Sequence, residues 1–310
     1  MMQFFGETRI DFIKLRWKAI TVSAIIILAG IVSMIVKGGP QYGVDFLGGT
    51  MIQVHFPQPP DIGEVRGVMG SIGFGDAEIK TFGTPNEILL RVEEQNVETE
   101  ATSISAPIIK ALREAFPQNP PEERLVESVG PKIGKELRTA AIWATLISLA
   151  LILIYISFRF EFIFAVGAVI ALFHDVLVTV SVLSLLNMEI NLTVVAALLT
   201  IVGFSLNDTI VVMDRIRENR RLLRDANIEQ LINVSINQTL GRTIITSLTV
   251  LLVVIVLLFF GGEVIYSFAF AMTVGVISGV YSTIYIAAPI VVEWHKKTAI
   301  QKIRRGVKVA

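Results

Sequence analysis

The chain has 310 residues, zero net charge and 53% apolar residues, and only 17% are charged, against about 25% in an ordinary soluble domain. The absence of cysteine excludes disulfides, Cys-ligated zinc and thiol chemistry, and three scattered histidines, His55, His174 and His295, argue against a His-rich metal site. Bulk charge says nothing about nucleic acid or acidic partners, but the charges are clustered and long stretches have none, as in a polytopic membrane protein.

The first apolar span is 19–36, preceded by Lys14, Arg16 and Lys18. It is longer than a signal-peptide core and offers no small-residue cleavage site, so it reads as a retained anchor. Residues 37–138 are polar enough for a separate domain. Within them, 50–56 alternates as a strand, and 61–72 opens on a capping Asp61 with Val65, Val68, Met69 and Ile72 at helical spacing. Strands at 77–82 and 87–92 are joined by a turn, Gly83-Thr84-Pro85-Asn86. A helix at 99–116 carries Ile104, Ile108 and Leu112 on one stripe, and 123–129 is a last strand. The order β-α-β-β-α-β predicts a ferredoxin-like α+β domain, a fold that names no function by itself.

Two glycine clusters flank this domain. Gly43-Val44-Asp45-Phe46-Leu47-Gly48-Gly49 precedes it, and Val129-Gly130-Pro131-Lys132-Ile133-Gly134-Lys135-Glu136 follows it. The second fails as a phosphate loop: three residues separate its glycines, and Glu136 stands where Ser or Thr must hold magnesium. Gly48, Gly49 and Gly130 read instead as hinge and turn residues where the domain meets the membrane.

Five more spans follow at 139–158, 162–186, 192–213, 243–260 and 264–292, each near or above the ~18–20 residues a bilayer core requires. Lys and Arg crowd one side: Arg9 to Lys18, Arg159, then Arg215, Arg217, Arg220, Arg221 and Arg224, and a tail from Lys296 to Lys308. The short loops on the other side, 187–191 and 261–263, have none. The positive-inside rule then puts both termini in the cytoplasm and 37–138 outside. The organisation expected is an N-terminus and first span (1–36), an external periplasmic domain (37–138), a five-helix bundle (139–292) and a basic tail (293–310). The stretch 228–240 is amphipathic and is compatible with a surface helix or with a loop helix packed on the bundle.

Polar residues inside the spans carry the chemistry. His174-Asp175 lies ~17–20 Å from either end of its span, and Asp208 ~7–8 Å from the cytoplasmic edge of the next. An intramembrane carboxylate costs roughly 2.5–3.5 kcal/mol on insertion scales, so it needs a reason. The helix after it brings Arg242, Thr243 and Thr246 to similar depth, and Arg242 is within reach of Asp208. Two readings of Asp208 stand: a buried pair with Arg242 that fixes packing, or a carboxylate that gains and loses a proton. His174 and Asp175 can satisfy one another. Asn207 and Asp214 share a helix face, with Asp214 interfacial and structural.

Val44-Asp45-Phe46-Leu47-Gly48-Gly49, Val129-Gly130-Pro131, Phe173-His174-Asp175, the run Gly203-Phe204-Ser205-Leu206-Asn207-Asp208-Thr209 continuing to Asn219, and Arg242-Thr243 together resemble the SecF branch of the SecD/SecF family over essentially the whole chain. The resemblance implies six transmembrane helices forming one RND-like half, with SecD as the other. It implies assistance to late protein export through SecYEG, with YajC and YidC as further partners, a translocating preprotein as cargo and no nucleic acid. It places the chain in the cell inner membrane and implies no enzymatic activity, no cofactor and no metal, with a proton or sodium gradient as energy source. Asp208 and Arg242 match the family's ion-relay pair; His174, Asp175, Asn207, Thr209, Asp214, Thr243 and Thr246 are supporting polar residues. Three rivals are set against this: a small-molecule RND exporter half, an intramembrane serine protease using Ser205 with His174, and a passive translocon scaffold. The protease reading is weakened by Leu206 where a second glycine is expected.

Overall fold

The computed structural model describes residues 8–82, 84–92, 101–223 and 226–304. Gly83 of the expected turn, residues 99–100 of the expected helix start, Arg224, and the tail beyond 304 lie outside the described residues.

A short 3-10 turn, Ile13–Leu15, leads into α1 (Arg16–Val36). A one-turn helix α2 (Val44–Leu47) precedes the sheet domain, which runs β1 (Gly49–His55), α3 (Ile62–Ser71), β2 (Glu78–Phe82), β3 (Thr84–Val92), α4 (Ala101–Ala115) and β4 (Glu122–Val129). The sheet order is β2-β3-β1-β4, all antiparallel, the ferredoxin-like arrangement expected. Alternation along β1 sends Ile52 and Val54, and Phe56 just past its end, into a core with Val65, Met69, Ile108 and Leu112 from the two helices. Asp61 caps α3, accepting from the Gly63 amide at 2.6 Å.

Thr84, Pro85 and Asn86 are not turn residues; they belong to β3. The Phe56 amide donates to the Asn86 carbonyl at 2.9 Å, and the Asn86 side chain donates to the Phe56 and Pro57 carbonyls at 3.0 Å. These bonds carry the strand past the end of β1.

The remaining chain is α5 (Pro131–Arg159), α6 (Phe162–Leu185), α7 (Leu192–Leu222), α8 (Ile228–Phe260), α9 (Glu263–Ser282) and α10 (Ala288–Arg304), with a π turn at Thr283–Ala287 between the last two. Six helices are long and apolar enough to cross a membrane. Helix α5 begins at Pro131, whose missing N–H suits the first helical position, so residues 131–138 are already helical. The amphipathic stretch 228–240 is neither a surface helix nor a separate loop helix. It is the first four turns of α8, with Leu231, Ile232 and Ile236 in the bundle core. At 31 residues α7 is about 46 Å long, well over a bilayer core of about 30 Å. Its excess pairs with the start of α8 through Asn219, which donates to Ser235 at 2.9 Å and Gln238 at 2.8 Å.

The π turn has a local cause. Pro289 cannot donate to a carbonyl four residues back, and its ring would collide there. The Ala288 amide instead reaches five residues back, to the Thr283 carbonyl.

The bundle has two apolar cores. One, at the basic end, joins Phe164, Val212, Ile216, Ile232, Ile284, Val291 and Val292. The other, toward the sheet domain, joins Leu183, Val194, Ile201, Val254, Met272 and Val276.

Candidate ion-relay site

Helix α7 is held by carboxylates on two sides. On one, its own Asp208, 2% exposed, accepts from Ser247 Oγ at 3.1 Å and Thr246 Oγ1 at 3.5 Å, both on α8. Thr246 shares its single proton with the Arg242 and Thr243 carbonyls at 3.0 Å, so Ser247 is the firmer partner. The expected ion pair with Arg242 is absent: Arg242 is exposed, and no salt bridge closes on Asp208 among the described residues. Arg242 lies one turn before Thr246, on the face that reaches Asp208, and its charge acts on the carboxylate without a direct contact. Thr243 Oγ1 is buried and has no partner. Asn207 is exposed, one residue off the buried face.

On the other side lies Asp175 of α6, fully buried. Its Oδ2 accepts from Ser205 of α7 at 2.6 Å and Ser282 of α9 at 2.7 Å. Its Oδ1 accepts from Ser278 at 2.6 Å and meets His174 Nδ1 at 3.2 Å. His174 and Asp175 do satisfy one another in part, but three serines do more. Ser278 and Ser282 escaped the sequence reading, although their i, i+4 spacing in an apolar helix was a readable sign. Helix α9 comes close enough because a Cβ at Gly279 would lie only 3.1 Å from Ser205 Cβ. Thr209 bonds Thr283 in the π turn at 2.8 Å. Asp214 pairs with Arg159 at 3.2 Å, half exposed, as an interfacial link between α7 and α5.

The Ser205 hydroxyl is thus engaged with Asp175, and His174 approaches the other carboxylate oxygen. A serine–histidine hydrogen bond, which a nucleophile requires, is absent among the described residues.

A family model described as protein export membrane protein SecD/SecF, C-terminal, matches residues 108–297, and the SecD/SecF GG motif matches residues 32–59. The chain belongs to the SecD/SecF family. The protein translocase subunit SecF of Thermodesulfovibrio yellowstonii is 42% identical over 97% of this chain and 100% of its own length. That of Magnetococcus marinus is 46% identical over 94% of each. The crystal structure of SecDF from Thermus thermophilus superposes with a TM-score of 0.79 at 35% identity, over 95% of this chain and 40% of the SecDF chain. This family member therefore spans two-fifths of that solved chain and nearly all of its SecF relatives.

At the N-terminal end of α7 the GG-motif segment closes a clasp. The Leu192 amide donates to Asp45 Oδ2 at 2.8 Å, Gly43 to the Ile190 carbonyl at 3.0 Å, and Ile190 to the Gln41 carbonyl at 2.7 Å. Gly48 and Gly49 have φ of 77° and 106°, a region that strongly favours glycine. Gly130 has φ −61° and is an ordinary helix N-cap. A Cβ at Gly134, one turn later, would lie 3.1 Å from the Gly48 amide, so the two glycine clusters pack together. From the edge strand, Lys80 approaches Glu189 at 3.6 Å. Burial pushes the Glu189 carboxyl above its ordinary range, against the opposing pull of Lys80.

Proposed function

We propose that this chain is the SecF-type half of a SecD–SecF complex that uses a proton or sodium gradient to assist late export of preproteins. The supporting observation is Asp208. A carboxylate inside a transmembrane helix, bonded only to the neutral hydroxyls of Ser247 and Thr246, accepts a proton without breaking an ion pair. An elementary charge crossing the membrane releases about 2.3 kcal/mol per 100 mV, enough to bias a helix rearrangement. Arg242, one turn from Thr246, supplies a countercharge when α8 rotates. SecD supplies the complementary half, SecYEG the channel, and YajC and YidC further contacts; the chain itself performs no covalent chemistry.

The test is export into reconstituted vesicles at saturating ATP, with and without an ion gradient. Asp208→Asn and Arg242→Met are expected to abolish the gradient-dependent part and spare ATP-driven initiation; Asp208→Glu retains some of it. Full gradient stimulation in Asp208→Asn, at normal complex abundance, would favour the passive-scaffold reading. Substituting protons by sodium identifies the coupling ion.

The Lys and Arg distribution supports an inner-membrane topology with both termini cytoplasmic. Thr84→Cys is then expected to react with an impermeant maleimide in spheroplasts, and Leu222→Cys is not; the opposite pattern reverses the orientation.

A further inference from the structure

The charge on Asp175 has no described counterpart except one. No lysine or arginine bonds to this carboxylate; its partners are Ser205, Ser278, Ser282 and His174. An ionised carboxylate in such a place is expensive unless a positive charge or a proton balances it. The imidazole beside it is 7% exposed, and its second nitrogen, Nε2, is buried with no hydrogen-bond partner. His174 lines a largely apolar cleft of about 560 Å³ between α1, α6 and the α9–α10 helix, walled by Ile20, Ile27, Ile170 and Ile286 beside Ser23, with Arg16, Glu293 and Lys297 toward the basic end.

We propose that His174 and Asp175 form a second proton-exchange site, in which the imidazole carries protons between this cleft and the buried carboxylate. It deepens the ion-coupled reading above. The steps balance. Neutral His174 donates its Nδ1–H to Asp175 Oδ1. A proton arriving at Nε2 makes the imidazolium, and the Nδ1 proton then passes to Oδ1. The products are a neutral imidazole protonated on Nε2 and a carboxylic acid; the reverse sequence returns the proton to the cleft.

The surroundings fit such a shuttle. From α9, Tyr281 stacks on the imidazole with ring centroids 5.9 Å apart, and its hydroxyl is engaged with the Ala19 carbonyl and Ser23. From α7, only the neutral Ser205 bonds the carboxylate. Toward the basic end, Arg16 is paired with Glu229 at 3.2 Å and Glu293 at 3.1 Å, and Lys297 of α10 stands beside them at the cleft. The proton also has a mechanical effect. Once Oδ1 carries it, that proton faces His174 Nδ1 and Oδ1 becomes a weaker acceptor for Ser278 at 2.6 Å, which loosens the contact between α6 and α9.

The experiment is pH-jump infrared difference spectroscopy on the complete complex in lipid vesicles, between about pH 5 and pH 9. A band from a protonated buried carboxyl is expected to be lost in Asp175→Asn and kept in Asp208→Asn. His174→Gln is expected to slow its rise on the order of a hundredfold, the usual contribution of a positioned proton carrier. Should Asp175→Asn fail to assemble, isotopic labelling of aspartate carboxyls in the unmutated complex and Asp175→Glu each shift the band. Absence of any Asp175-dependent band overturns the proposal, as does a rise unaffected by His174→Gln. Because Asp208→Asn is read separately by gradient-stimulated export, loss of the ion-coupled reading and loss of the second site are distinguishable.

Discussion

Removing Asp45 tests whether the GG-motif segment governs the helix that carries Asp208. Its Oδ2 takes the amide of Leu192, the first residue of α7, at 2.8 Å; the other side-chain cap is Asn191, on Val194. Deleting such an acceptor costs roughly 1 kcal/mol, and losing a negative charge at the positive end of the helix dipole adds about 0.3–1 kcal/mol. Together these correspond to an opening of the first turn favoured by on the order of tenfold to thirtyfold. Asp45→Asn keeps a carbonyl acceptor and loses only the charge, so roughly twofold to fivefold is expected from the dipole contribution alone. Amide hydrogen exchange at residues 192–195, read by mass spectrometry on the assembled complex, measures this directly. Because Asp208 lies sixteen residues along the same helix, about 24 Å away, gradient-dependent export is expected to fall in the order wild type, Asn, Ala, with ATP-driven initiation unchanged. Unaltered exchange at 192–195 in Asp45→Ala, with the complex intact, would refute the clasp.

Gly275→Ala places a Cβ 2.2 Å from Ile201 Cδ1, far inside contact distance, and is expected to cost about 1–3 kcal/mol by overpacking. Ile201→Ala in the same chain removes the obstructing atoms, so thermal unfolding of the double variant is expected to be milder than the sum of the two singles; strict additivity would show that α7 and α9 do not meet there. Glu189, held above its ordinary value of 4.5 by burial, binds its proton more tightly when folded. Its contribution to stability is therefore full below about pH 4.5 and is lost as pH rises through the raised value. Glu189→Gln is expected to flatten that dependence and tighten the clasp at neutral pH, seen in exchange at residues 187–192; a looser clasp in the Gln variant would mean that Lys80 outweighs burial.

The six spans and the βαββαβ order were legible because both are set by hydropathy and period over long windows. The errors are local and have local causes. Hydropathy bounds the fifth span at 243, but the helix starts at Ile228 and runs through Gly241; one glycine costs a helix only about 1 kcal/mol, and the stripe Leu231, Ile232, Ile236 packs in the bundle core before it. Matching by depth alone pairs Asp208 with Arg242; the direct partners are Ser247 and Thr246, and Arg242, one turn before Thr246, acts on the carboxylate without touching it. The serine cage around Asp175 was missed because serine is common in membrane helices, and only the three-dimensional approach of α9 to α7 shows that Ser205, Ser278 and Ser282 converge. Gly48 and Gly49 take positive φ, as turn glycines do, whereas Gly130 is a helix N-cap with φ −61°.

The π turn before Pro289 makes the last membrane helix two helices out of phase. One extra residue is accommodated there, and each residue is worth about 100° of rotation. The stripe on the outer half, with Met272 and Val276, therefore points into one core, while that on the inner half, with Val291 and Val292, points into the other. Deleting a single residue within 283–287 would restore a uniform helix and swing the entire inner half by a quarter turn or more. Val291 and Val292 would leave their core, and Glu293 would leave Arg16. Ser278 and Ser282 stand just before this phase step, and Thr283 stands on it. Helices α6, α7 and α8 run unbroken through both cores, so the phase step lies in the last membrane helix alone, where the hydroxyls of Ser278, Ser282 and Thr283 meet Asp175 and Thr209.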